Sequence, residues 1–179
     1  TVRRLAQDKI KPRAREIDTT SAYPQDIFDE FRRADLLGLC IPEQYGGSGA
    51  GILGLTLAIE EVTKYSNVLG LMLLLTRLPT GPIMIAGTEE QKQRYLPGIA
   101  NGTTRASFCL SEPGAGSDVA GMQTRATPDP DVEGGYVLNG VKVWISGGMQ
   151  ADWFTVFAKT GDPSSRHHSD ITGFIVDAT

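Results

Sequence analysis

Two stretches of this sequence carry residue types whose spacing suits a flat, anionic ligand. The first, Ser107-Phe-Cys-Leu-Ser-Glu-Pro-Gly-Ala-Gly-Ser-Asp118, reads as a short strand that runs out into a glycine-bearing loop. The two glycines flanking Ala115 let backbone approach a phosphate closely, with main-chain amides and the Ser117 hydroxyl as donors. The loop is not a P-loop, because no Gly-Lys-Ser/Thr follows, nor a dinucleotide fingerprint, because Val119 stands where the third glycine belongs. A plain turn would use the same residues. The second stretch, Tyr136-Val-Leu-Asn-Gly-Val-Lys-Val-Trp-Ile-Ser146-Gly-Gly148, contains Asn139-Gly140, a pair suited to a tight hairpin. Alternation over 141–146 puts Val141, Val143 and Ile145 on a core face and turns Lys142, Trp144 and Ser146 away from it. An indole with a hydroxyl two residues on offers a stacking surface beside a hydrogen-bond donor. An indole packed beneath a neighbouring loop fits the same pattern.

Other chemistry-bearing residues point to plainer roles. His167-His168 lies in a serine-rich loop with no cysteine or second histidine pair nearby, so no metal site is expected. Arg3, Arg4, Lys9, Lys11, Arg13 and Arg15 are interleaved with Asp8, Glu16 and Asp18, the pattern of a solvated helix face. Gly46-Gly-Ser-Gly-Ala-Gly51 reads as a flexible connection between helices. Leu71–Leu75 reads as core packing, although such a run could also line an acyl pocket. No nucleophile elbow, paired-cysteine motif or histidine-centred constellation occurs, so the residues supply a cradle without an evident catalyst.

The elements that must position these residues follow from periodicity. Up to Ala100 apolar residues recur at three and four, as in Ile27, Phe28, Phe31, Ala34 and again in Leu55, Ile59, Val62. Pro24 suits a first helical turn and Gly38 the end of the stretch it opens. Thr88-Glu-Glu-Gln91 is a capping box ahead of Tyr95, Leu96 and Ile99, and Asn101-Gly102 closes the helical half. From Arg105 the pattern changes to β-rich runs at 106–110, 123–127, 136–138, 141–146, 153–159 and 171–177. The fold class expected is therefore α+β and multidomain: an all-helical domain over 1–104, then an antiparallel, barrel-like β domain over 105–179. Helical spacing begins at Val2 with no start signal before it, which reads as a trimmed beginning.

With 179 residues and 40% apolar content the chain can fill one core or two small ones. Its net charge of −4, from 17 basic and 21 acidic residues, gives no attraction to nucleic acid or an anionic membrane. The longest apolar run falls far short of the roughly 20 residues that span a bilayer. Cys40 and Cys109 sit in apolar runs and read as buried thiols of a reducing compartment.

Four motifs in order give the chain a close resemblance to the acyl-CoA dehydrogenase family: Ile41-Pro-Glu-Gln-Tyr-Gly-Gly47, Gly87-Thr-Glu-Glu-Gln-Lys-Gln-Arg-Tyr-Leu-Pro97, Leu110-Ser-Glu-Pro-Gly-Ala-Gly-Ser-Asp118, and Leu138-Asn-Gly-Val-Lys-Val-Trp-Ile-Ser146. The resemblance implies a helical N-terminal domain, a β-barrel middle domain and a C-terminal four-helix bundle, the last outside this sequence. It implies FAD as cofactor, with Phe108, Leu110 and Ser111 bordering the flavin and Ser111 bonded to its pyrimidine side. Gly116 and Ser117 would meet the pyrophosphate, and Ser117 also the CoA part of the substrate. Trp144 would stack on the isoalloxazine, and Ile145 and Ser146 would touch its edge near N5. Relatives often carry threonine where Ser111 and Ser146 stand, a difference that keeps the hydroxyl. Leu75-Thr-Arg-Leu78 departs from the histidine-containing segment common in relatives, so substrate preference does not carry over.

The reaction so implied is α,β-dehydrogenation of an acyl-CoA thioester to the trans-2-enoyl-CoA. A carboxylate removes the α proton as the β hydride moves to flavin N5, and hydrogen bonds to the thioester carbonyl stabilise the developing enolate. The family's base is a glutamate from the C-terminal part, so no catalytic residue is assigned within 1–179 and the fragment alone is expected to be inactive. Ending at Thr179 is expected to leave strand edges unpaired. An electron-transferring flavoprotein would collect the electrons, the assembly would be a homo-oligomer, a tetramer by resemblance, and the setting the bacterial cytoplasm or the mitochondrial matrix. An acyl-CoA oxidase of the same fold, or a non-catalytic subunit binding CoA or a partner, are the alternatives.

Overall fold

The structure, a computed structural model, describes residues 1–162 and 164–178. The chain divides into two units, Thr1–Arg105 and Ala106–Thr179. In the first, α1 (Val2–Leu5) passes into a wider π-helical turn over Ala6–Ile10. It is followed by α2 (Ala14–Thr20), α3 (Gln25–Arg33), α4 (Gly51–Thr63), α5 (Asn67–Leu74), α6 (Thr80–Ala86) and α7 (Glu89–Ala100). Side chains at helical spacing make the core: Ile27, Phe28 and Phe31 of α3, Leu55 and Val62 of α4, and Leu69, Met72 and Leu73 of α5 are buried together. Within the 71–75 run Met72 and Leu73 are buried, Leu74 and Leu75 half-buried, and Leu71 exposed.

Helix ends follow the sequence signals in α5 and α7. The Ser66 hydroxyl caps α5 by accepting from the Leu69 amide at 3.4 Å. At α7 the capping box forms in full, with the Gln91 amide donating to Thr88 Oγ1 at 3.2 Å and the Thr88 amide donating to Gln91 Oε1 at 2.9 Å. The end of α3 differs from expectation. The helix stops at Arg33, well short of Gly38, where Asp35 takes a left-handed φ of 55°, a conformation that aspartate tolerates better than most residues.

Gly38 serves another purpose, and it explains why the 46–51 stretch is not the flexible connection expected. That stretch folds back on 38–42 through amide bonds from Gly47 to the Pro42 carbonyl (3.2 Å), Ser48 to Gly38 (3.0 Å), Gly49 to Ile41 (3.0 Å) and Gly51 to Leu39 (3.0 Å). A Cβ at Gly38 would lie 3.0 Å from Gly47 Cα, and a Cβ at Gly47 would run into the Ile41 carbonyl. The glycines permit a close crossing of backbone on backbone.

The second unit is a five-stranded mixed sheet: β1 (Ala106–Cys109), β2 (Arg125–Pro128), β3 (Tyr136–Asn139), β4 (Trp153–Lys159) and β5 (Ile171–Asp177). Antiparallel β5 covers the whole length of β4, from Trp153↔Asp177 to Lys159↔Ile171. β1 and β2 share the other edge of β4, and both run parallel to it, β1 from Ala106↔Trp153 to Cys109↔Val156 and β2 at Arg125↔Lys159. The all-antiparallel sheet expected from the sequence is therefore corrected: long connections return the chain from β1 and β2 to β4, the crossovers that parallel pairing requires. Among the described residues the strand pairings form an open sheet.

The hairpin also lies elsewhere. β2 pairs antiparallel with β3 across the 129–135 loop, with Ala126 opposite Leu138, whereas 141–146 forms no strand. Asn139-Gly140 is thus not its turn. Two features set this segment apart from a strand: Lys142 is drawn inward by Glu112, thirty residues earlier in the chain, and Trp144 adopts a φ of 59°. Val141, expected in the core, is 64% exposed. No helix of the described residues is long and apolar enough to cross a membrane.

Candidate cofactor-binding site

The site is built on the exit of β1. Phe108 is half-buried, its ring edge-to-face with Phe157 of β4 at 5.1 Å between centroids. Leu110 and Ser111, also half-buried, carry the chain out of the strand. At Glu112 a tight reversal begins: the Glu112 amide donates to the Ala115 carbonyl at 2.9 Å and the Ala115 amide returns to Glu112 at 3.2 Å, leaving Pro113 and Gly114 at the tip. Ala115 is buried beneath the turn, while Gly116, Ser117 and Asp118 are exposed.

What fixes this loop is the Glu112 side chain. It is 7% exposed, and its carboxylate accepts the amides of Gln123 at 2.6 Å and Thr124 at 3.0 Å. It also pairs with the Lys142 ammonium at 2.8 Å. Burial opposes ionisation, yet those amides, Lys142 and Thr124 outweigh it and hold the carboxyl at about 2. A carboxylate so engaged makes a poor proton acceptor, and its role is to shape the loop.

Lys142 links this loop to the second motif. Beyond Glu112 its ammonium donates to the Leu110 carbonyl at 3.1 Å, and the Val143 amide donates to the Ser111 carbonyl at 2.9 Å. Farther along, the buried Ser107 hydroxyl of β1 donates to the Ser146 carbonyl at 2.9 Å. Between these ties stands Trp144, left-handed and 91% exposed, with Ile145 half-buried and Ser146 exposed. A left-handed backbone costs an L-residue about 1–2 kcal/mol. The indole is not packed into the core, which removes the plainer of the two readings of its motif. Alternation does not explain that placement, because Lys142 turns inward where the pattern sent it outward. Lys142, Ser107 and the Trp144 conformation escaped sequence reasoning. The available signal was a lysine between two valines, in a chain whose other motif offers a glutamate of opposite charge.

Whether the residues suit FAD can be judged from the loop glycines. A Cβ at Gly114 or at Gly116 would meet nothing within 4 Å, and neither has a positive φ. Neither packing nor backbone geometry within the chain requires glycine there. Among the described residues no bond is made by the Gly116 and Ser117 amides or the Ser117 hydroxyl. Free donors, open space and an exposed indole are the features that a pyrophosphate-bearing aromatic group uses. Among the described residues no three metal-ligating side chains cluster.

Comparison with known proteins identifies the family. The sequence model described as acyl-CoA dehydrogenase, N-terminal domain, matches residues 1–103, and that of the middle domain matches 107–179. The chain belongs to the acyl-CoA dehydrogenase family. Mitochondrial isovaleryl-CoA dehydrogenase of Solanum tuberosum is 40% identical over 180 residues, 99% of this chain and 42% of that protein. Butyryl-CoA dehydrogenase of Megasphaera elsdenii superposes with a TM-score of 0.87 at 36% identity, covering 98% of this chain and 46% of that one. PigA, solved as an FAD complex, gives 0.84 at 28% identity, covering 99% and 46%. The chain thus spans less than half the length of these relatives.

Proposed function

We propose that residues 1–179 supply the helical and β portions of an FAD-dependent oxidoreductase that converts an acyl-CoA thioester to its trans-2-enoyl-CoA, passing electrons to an electron-transferring flavoprotein. The observation that carries this reading is the pairing of an almost fully exposed Trp144 with a loop whose Gly114 and Gly116 have no reason internal to the chain.

FAD, when bound, accepts the hydride leaving the β carbon. The chain's own residues bind and orient. Trp144 offers a stacking face and Phe108 and Leu110 an apolar border. Ser111 would bond the ring's pyrimidine side, Ile145 and Ser146 would touch its edge near N5, and Gly116 and Ser117 would present amides to the pyrophosphate, Ser117 also reaching the CoA moiety. Glu112 is committed to Gln123, Thr124 and Lys142. Glu112 is thereby unsuited to take the α proton, and the family resemblance assigns that base to a glutamate outside 1–179, so that this segment alone would not turn over substrate. The active assembly is a homotetramer of the bacterial cytoplasm or the mitochondrial matrix.

Purification of the protein at its full natural length tests the reading. It should be yellow, with flavin absorbance that bleaches when octanoyl-CoA or another acyl-CoA is added anaerobically, and it should reduce a dye acceptor. A colourless protein that takes up no FAD on reconstitution would overturn the cofactor assignment. Peroxide release in place of dye reduction would reassign the electrons to oxygen.

A further inference from the structure

A left-handed tryptophan with a solvent-exposed side chain cannot hold its own backbone in place. Such conformations persist only where the surroundings over-determine them. Here the surroundings are two ties at equal distances on either side of Trp144. Two residues before it, the Lys142 ammonium is anchored on Glu112 at 2.8 Å and on the Leu110 carbonyl at 3.1 Å. Two residues after it, the Ser146 carbonyl is held by the Ser107 hydroxyl at 2.9 Å. The Val143 amide adds a third bond, to Ser111. Side-chain exposures of 10% for Lys142 and 5% for Glu112 make this a buried pair. Such a pair is weak evidence for stability in itself, since apolar replacements often serve as well. Its place between the two motifs points to a different use.

We infer that Lys142 and Ser107 are positioning residues: together they clamp the 142–146 segment against the exit of β1, pin the Trp144 backbone, and so aim its indole at the cofactor. The inference rests on the FAD reading above. Glu112 is the fixed end of the clamp, because the Gln123 and Thr124 amides hold it independently of Lys142.

A double-mutant cycle on FAD affinity, measured on the folded full-length protein, distinguishes positioning from general support. Lys142→Met should weaken FAD binding roughly tenfold alone but less than about twofold in a Trp144→Ala background, because it acts through the indole. Lys142→Arg, which keeps the charge, should recover most of the affinity. Equal losses with and without Trp144 would overturn the inference. Should Lys142→Met fail to fold, Ser107→Ala, which removes one bond at nearly constant volume, takes its place in the same cycle with the same criterion. A readout independent of flavin is hydrogen exchange in the apoprotein, where the Val143 amide should exchange at least about tenfold faster in Lys142→Met or Ser107→Ala. Unchanged exchange sinks the clamp even if the protein binds no FAD, whereas faster exchange without FAD binding sinks only the cofactor reading.

Discussion

Two glycine-bearing stretches in this chain look alike in sequence and differ in why they need glycine. In 46–51 the cause is internal: a Cβ on Gly47 would fall 2.0 Å from the Ile41 oxygen and 2.6 Å from the Gly38 oxygen, and Gly49 takes a φ of 64°. In 112–118 the loop is shaped by the Glu112 carboxylate, and Gly114 and Gly116 face open space. A glycine that the fold demands reports on folding. A glycine that the fold does not demand reports on something that approaches from outside.

Substitutions can break or sharpen this contrast. The largest effect is expected at Glu112→Gln, which strips the buried Lys142 of its counter-charge and should destabilise the β unit by about 3 kcal/mol in urea unfolding. The wild-type contribution also has a pH signature. Glu112 ionises with a folded value of about 2 against an ordinary 4.5. Its stabilisation is therefore complete above pH 4.5 and is lost as pH falls towards 2, and Glu112→Gln should flatten that part of an acid titration. A variant that keeps the wild-type slope would place the acid sensitivity elsewhere.

Gly47→Ala should come next, at about 2 kcal/mol of lost stability with FAD affinity unchanged, because the added carbon meets backbone. Trp144→Ala should show the opposite pattern. FAD retention in the full-length protein falls by about 1–3 kcal/mol while the apoprotein unfolds as before, and unaltered affinity would deny the indole any stacking role. Gly116→Ala should leave stability within about 0.5 kcal/mol yet weaken FAD by about 1 kcal/mol if a phosphate lies there. Stability loss at Gly116 comparable to that at Gly47 would erase the distinction between the stretches. The smallest effect belongs to the exposed His167 and His168: alanine at both should move the unfolding midpoint and FAD affinity negligibly, and a zinc titration should show no binding above that of the double variant.

Much of the architecture was legible because local signals and burial agreed. Ile27, Phe28 and Phe31, the capping box at Thr88, and the runs that became β4 and β5 all follow from periodicity and caps. The exit of β1 and its loop were legible as a motif. What could not be read was long-range. Lys142 meets a carboxylate thirty residues earlier in the sequence, and that pairing overrides the alternation that made 141–146 look like a strand. Parallel pairing of β1 and β2 with β4 is equally non-local, set by where long connections return. Even so, the resemblance and the structure expose Trp144 for different reasons: the first through the motif, the second through a backbone turned left-handed.

The two tryptophans of this chain lie at opposite ends of the hydration scale, Trp153 at 2% and Trp144 at 91% accessible. Acrylamide should therefore extinguish emission from one and spare the other, so the red-shifted part of the spectrum reports on Trp144 alone. Occupancy beside that ring can thus be followed by light, without waiting for turnover.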